Sequence, residues 1–246
     1  MTIQKYDHAK RRRCVVMGTI LAAGVFCITA CHTVHPGKKE AQNPFFYEPD
    51  ESNVTYEGYI YPVSYSGEIW TDVSLHITEI ERFDDGILYA LELDQIDVED
   101  PWDGITWGRR YLGYFFVTED TIYRRAAGMD GFTAESDQEM VRMLKEDEEA
   151  FLDACSVVCC ENGTEDITDE LGYHAFVEAD GDRRIFRYYH DYYYGTKAYQ
   201  LMVWEKGKGL VYYIYGEGNM RMHIEFGENL ERERQTEYGW HYDMFH

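Results

Sequence analysis

The chain reads as an α+β, β-rich protein, an antiparallel meander of hairpins packed with one main α-helix over about residues 136–155. Three observations predict this. Short runs alternate apolar and polar residues, as in "TDVSLHITEI", where Val73, Leu75 and Ile77 share one face and Ser74, His76 and Thr78 the other. Turn signals separate such runs at "FDDG", Asp180-Gly181 and the Gly207–Gly209 pair. Only the stretch from Ser136 to about Cys155 carries an apolar stripe at helical spacing.

The N-terminus is a separate element. Lys5, Lys10, Arg11, Arg12 and Arg13 precede an uncharged run of 17 residues, Cys14 to Ala30. A basic segment, an apolar segment and a small residue before a cut mark an export signal. The run is at the short edge of the roughly 17–25 residues a spanning helix needs, which leaves an uncleaved anchor as one reading. A general signal peptidase site is another, although Ile28 occupies the −3 position where a small residue is preferred. Ile28-Thr29-Ala30-Cys31 resembles the lipobox of bacterial lipoproteins, and this reading fits best. The resemblance implies that the Cys31 thiol takes a diacylglycerol as a thioether and that signal peptidase II cuts before it. The mature protein would carry palmitate-type acyl chains and be held on the extracytoplasmic face of a bacterial membrane without crossing it. The resemblance covers residues 1–31 and speaks to location alone.

Residues 31–54 are expected to form a flexible tether, because "HTVHPGKKEAQNPFFYEPDESN" has no apolar period. Phe45, Phe46 and Tyr47 interrupt it and are candidates to dock on the domain. Residues 55–246 are then one β-rich α+β domain, a length that suits a single core. With 45% apolar residues, 16% aromatics and 22 tyrosines there is ample material to fill that core.

Strands follow in order. After "TDVSLHITEI", the run "ILYALELDQI" puts Ile87, Tyr89, Leu91 and Leu93 on one face, and "RYLGYFFV" with "TIYRR" makes a second hairpin across Thr118-Glu119-Asp120. Ser136 and Glu139 suggest a capping box for the helix. Its apolar side is Val141, Leu144, Phe151 and Cys155, widened by Met140, Met143 and Leu152, and the acids at 146–149 face solvent. Thr164 to Leu171 suggests a short second helix. Four or five strands then run from Tyr173 to Phe226, with Ile224 and Phe226 opposed to His223 and Glu225 in "RMHIEF". The tail from Glu228 is a loose end or a final strand.

Charge narrows the function. Loss of residues 1–30 lowers Lys plus Arg from 23 to 18 and Asp plus Glu from 46 to 45, taking the net charge from −23 to −27. So acidic a chain repels nucleic acid backbones and anionic head groups, which excludes DNA and RNA as expected partners. No catalytic motif is present: no G-x-S-x-G, H-E-x-x-H, P-loop or Rossmann fingerprint, so no catalytic residue and no cofactor is assigned. Cys155, Cys159 and Cys160 are an odd set. They read as buried unpaired thiols, with a bridge from Cys155 to either neighbour as the alternative, and a zinc site would need a fourth ligand such as His174.

Two constellations carry the remaining chemistry. "DQIDVEDPWDG" crowds carboxylates, and Asp97, Glu99 and Asp103 are candidate calcium ligands, though the EF-hand pattern fails at Pro101 and a solvated acidic loop is the plainer reading. "RYYHDYYYG" puts Tyr188, His190, Tyr192 and Tyr194 on one strand face. Tyr188, Tyr192 and Tyr194 are therefore candidate ligand-binding residues, able to stack on a sugar ring or peptide, against the plain alternative of tyrosines favoured in any strand. The expected function is a non-enzymatic, lipid-anchored envelope protein that binds a glycan or protein ligand or plays a structural part. The alternative is a tethered hydrolase of envelope or dietary polymers that uses a carboxylate pair. A solute-capture subunit of a transporter fits less well, for want of alternating strands and helices.

Overall fold

A computed structural model of the chain describes residues 43–48, 50–61, 69–94, 111–128, 131–190, 198–217 and 222–234. All lie within one compact unit, residues 40–246. The signal peptide, Cys31, the candidate calcium ligands Asp97, Glu99 and Asp103, and Tyr192 and Tyr194 fall outside the described residues.

The expected β-rich α+β meander is what the chain forms. The strands are β1 (Asn53–Tyr61), β2 (Ile69–Arg82), β3 (Gly86–Leu93), β4 (Tyr111–Thr118), β5 (Thr121–Arg125), β6 (Ser156–Cys160), β7 (Ile167–Thr168), β8 (Tyr173–Asp180), β9 (Arg183–His190), β10 (Ala198–Glu205), β11 (Gly209–Glu217) and β12 (Met222–Gly227). They make one antiparallel sheet in the order β6-β5-β4-β3-β2-β1-β12-β11-β10-β9-β8-β7. Every strand therefore pairs with its neighbour in sequence, β1 pairs with β12, and the ladder is open only between β6 and β7. The sheet curls so that β6 lies against β8 and β9. Across that opening Thr164 donates its N–H to the Val177 carbonyl at 2.8 Å, and Arg184 Nε donates to the carbonyls of Cys160 and Glu161 at 3.0 and 2.9 Å.

Period-two alternation fills the inside of the curl. Val73, Leu75 and Ile77 of β2 meet Tyr89, Leu91 and Leu93 of β3, Phe115 and Val117 of β4, Met202 and Trp204 of β10, and Ile224 and Phe226 of β12 in one cluster. Phe45, Phe46 and Tyr47 dock in that cluster, so the packed domain begins by Asn43 and the expected tether is shorter at its domain end. Pro44 accepts the Gly207 N–H and the Asn43 amide donates to the Thr118 carbonyl, which fixes this segment over the short turns at 119–120 and 206–208.

The outer face is apolar in two places. Leu88, Ala90, Tyr114 and Phe116 are covered by helices α1 (Ala134–Glu146) and α2 (Glu148–Asp153), through Leu144 and Phe151. The expected single helix is thus two. Asp147 ends α1 with a non-helical backbone (φ −156°, ψ 82°) and its side chain accepts the Ala150 N–H as the cap of α2. The capping box also sits three residues earlier than expected, between Thr133 and Ser136, because Glu139 is drawn to Arg142 instead. The second apolar area combines Ile185, Leu201, Val203, Val211, Tyr212 and Ile214 with Leu230 of helix α3 (Leu230–Arg234). The short helix expected at 164–171 is instead strand β7 and a turn, in which Asp169 accepts the N–H groups of Leu171 and Tyr173 and so competes with helical bonding. Among the described residues no helix is long and apolar enough to cross a membrane.

Candidate functional site

An open groove with a volume of 730 Å³ lies on the outside of the sheet, lined by Glu57, Gly58, Trp70, Thr71, Asp72 and Glu231. Strand alternation puts these side chains there. Tyr56 and Val73 point into the core, so Glu57 on β1 and Trp70 and Asp72 on β2 point out. Register then brings Glu57 directly opposite Asp72, and Tyr59 opposite Trp70. Directly opposed residues of antiparallel strands have their Cβ atoms about 5 Å apart.

Helix α3 supplies the other wall. Leu230 is buried in the outer cluster, and its N–H donates to Glu57 Oε2 at 3.1 Å. One turn on, Glu233 is held by Arg183, whose Nη1 and Nη2 donate to its two carboxylate oxygens at 2.9 and 3.1 Å, while Arg183 Nε donates to Glu205 at 2.8 Å. These contacts leave Glu231 facing the groove.

The chemistry of the groove is set by what is exposed. Trp70 shows 53% of its surface, beside the carboxylates of Glu57, Asp72 and Glu231, with no basic residue among the described residues that line the groove. A half-exposed indole stacks on apolar ring faces and attracts cations through its quadrupole. Carboxylates beside it accept hydroxyl or ammonium protons. Alternation reveals which residues point outward, but the fifteen-residue separation of Glu57 and Asp72 hides their pairing, so the sequence gives no signal for the groove as a unit.

Of the residues expected to carry function, Tyr188 is among the described residues. Tyr188 faces inward, half-buried against the main core, and stacks on Tyr173 with ring centroids 5.1 Å apart and planes 7° from parallel. Burial raises the pKa of its phenol. His190 packs edge-on against Tyr173 and donates from Nε2 to the Leu171 carbonyl at 2.7 Å. Hence Tyr188 belongs to a packed aromatic stack rather than an open platform. His76 lies on the outer face of β2 with one ring nitrogen on Asn53 and the other on Asp94. His174 bonds Asp166 at 2.8 Å and stacks on Tyr189.

The three thiols are free. Burial pushes Cys155 up to about 11 against the pull of Arg125, and burial likewise raises Cys159 and Cys160. Among the described residues no group of three or more His, Cys, Asp or Glu side chains is placed to hold a metal ion.

Compared with known proteins, the chain matches no family model, no curated sequence and no solved structure.

Proposed function

We propose that this is a lipid-anchored protein of the bacterial envelope whose folded domain is a binding module acting through the Trp70 groove. The single observation that carries the binding reading is an exposed indole flanked by Glu57, Asp72 and Glu231. The ligand that fits presents one apolar face to Trp70 and several O–H or N–H donors to the carboxylates, as an exposed glycan ring or a basic peptide segment does. The lipobox-like Ile28–Cys31 supports the location, and the acidic chain supports a ligand that is not a polyanion.

The test is retention on a glycan and peptide array, followed by Trp70→Ala. A half-exposed side chain contributes little to folding, so the variant is expected to keep its stability within about 0.5 kcal/mol and to lose at least tenfold in affinity. No retention by the parent chain, or equal retention by the variant, overturns the assignment. For anchoring, Cys31→Ala is expected to leave an uncleaved precursor or release the protein from the membrane. Unchanged size and membrane retention would sink it.

A hydrolase is the second reading, and the opposition of Glu57 and Asp72 is the observation that favours it. Glu57 already accepts the Leu230 N–H, which ties it to holding α3 and argues for binding over proton transfer. Release of new sugar or peptide ends by the parent chain, abolished in Glu57→Gln, would reverse that preference.

A further inference from the structure

The inside of the curled sheet has two unlike ends. Alternate connections of an antiparallel meander share an end, so the short turns at 84–85, 119–120, 181–182 and 206–208 lie together, and Phe45, Phe46 and Tyr47 close the interior there. Toward the opposite end the inward positions turn polar. Arg124 is the register partner of Phe115, and Gln200 is the partner of both Tyr188 and Tyr215. Tyr188 and Tyr215 pack on the main core, so this row faces inward.

Arg124 and Gln200 meet across the interior. Arg124 Nη1 donates to Gln200 Oε1 at 3.0 Å, Gln200 Nε2 donates to the Tyr213 hydroxyl at 3.1 Å, and Arg124 Nε donates to the Leu112 carbonyl at 2.5 Å. Among the described residues Nη2 makes no hydrogen bond and no carboxylate pairs with the guanidinium. The groups whose field reaches it are the phenols of Tyr213 and Tyr215. Burial accordingly depresses the pKa of Arg124.

A cation removed from water without a counter-ion is costly, and an arginine cannot escape that cost by losing its proton at neutral pH. Arg183, by contrast, meets two carboxylates, Glu205 and Glu233. In a chain with 46 acidic residues, Arg124 thus keeps Nη2 unbonded among the described residues, on the inward face that carries Tyr188 and Tyr215.

We propose that Arg124 anchors a second binding site, separate from the Trp70 groove, that takes a small monocarboxylate with an apolar body. A guanidinium matches a carboxylate in plane, and the half-buried Tyr215 offers ring surface to the body of the ligand. The acidity of the chain disfavours doubly charged anions at the same place.

The probe is sodium benzoate, titrated into the full chain at constant ionic strength against sodium chloride and inorganic phosphate. Thermal unfolding is expected to rise by roughly 5–10 °C at a hundredfold excess of benzoate over its dissociation constant, with chloride and phosphate inert. Arg124→Met removes the cation and is expected to abolish the rise. Gln200→Glu places a built-in carboxylate beside Arg124. It is expected to unfold at a higher temperature than the parent without benzoate and to be insensitive to it, which keeps the test open if R124M does not fold. No rise in the parent chain, an equal rise with chloride or phosphate, or a benzoate response that persists in Q200E overturns the site. Because neither substitution touches Trp70, array retention unaffected by both variants separates this site from the groove.

Discussion

The hydroxyl of Tyr47 donates to that of Tyr56 at 2.7 Å, and the Tyr56 hydroxyl donates in turn to the Leu210 carbonyl at 2.7 Å. This relay ties the segment ahead of the first strand to β1 and β11 in the core. Burial raises the pKa of both phenols, so both stay protonated as donors. Tyr47→Phe deletes the first donor and leaves the second intact, and is expected to cost about 1 kcal/mol in urea unfolding. Tyr47→Ala also opens a cavity beside Trp204 and Phe46 and is expected to cost about 3–5 kcal/mol. Equal losses for the two variants would show that the ring, and not the relay, holds the segment.

Arg183 joins β9 to β10 and α3, and its loss is expected to loosen the groove from beneath. Burial would raise the pKa of Glu205, but the hydrogen bonds from Lys208 and Arg183 outweigh it and hold it low. A depressed carboxylate makes the unfolded chain bind more protons than the folded one in acid. Its stabilisation is therefore present above the unfolded value of about 4.3 and lost as pH falls through the folded value. Arg183→Met is expected to cost about 2 kcal/mol at pH 7, between exposed and buried pairs, and less at pH 3. A loss that does not shrink in acid would mean packing, not charge, carries the effect.

The thiols are expected to be slow. With Cys155 near 11, about one molecule in a thousand carries its thiolate at pH 8. Alkylation followed by mass spectrometry should label Cys159 at least a hundredfold more slowly in the folded chain than in denaturant. Fast native labelling of Cys159 would contradict its burial in β6.

Closure of the sheet between β6 and β8 depends on Gly163. It holds φ at +71°, and a Cβ there would lie 2.5 Å from the Val177 carbonyl oxygen. Gly163→Ala combines a left-handed backbone with a clash against main chain, and is expected to cost about 2–3 kcal/mol. Hydrogen exchange should locate the loss at the Thr164 and Val177 amides, which bond across the opening.

Much of the architecture is legible locally. Alternation named the inner faces of β2 and β3 residue by residue, because a strand with one buried face must repeat every two positions. The helix break at Asp147 was hidden for the opposite reason. The apolar stripe from Val141 to Cys155 continues across it, and a cap acts on backbone N–H groups to which periodicity is blind. Glu225 shows a second limit. Its alternation against Ile224 and Phe226 is as read, yet it is wholly buried, where it accepts the Tyr212 hydroxyl at 2.5 Å. A polar position in a strand says which way the side chain points and not whether water is there.

By itself, then, the sequence determined the class of fold, the strands and their inner faces, and a strongly negative net charge, since these follow from composition and from neighbours a few residues apart. The tertiary structure alone decided that β1 closes on β12, that Phe45 to Tyr47 fill the core, that Glu57 meets Asp72 beside an exposed Trp70, and that Arg124 meets Gln200. Those partners are joined by strand register and by the curl of the sheet. Both are set by the packing of many residues at once, and no short stretch of the chain carries them.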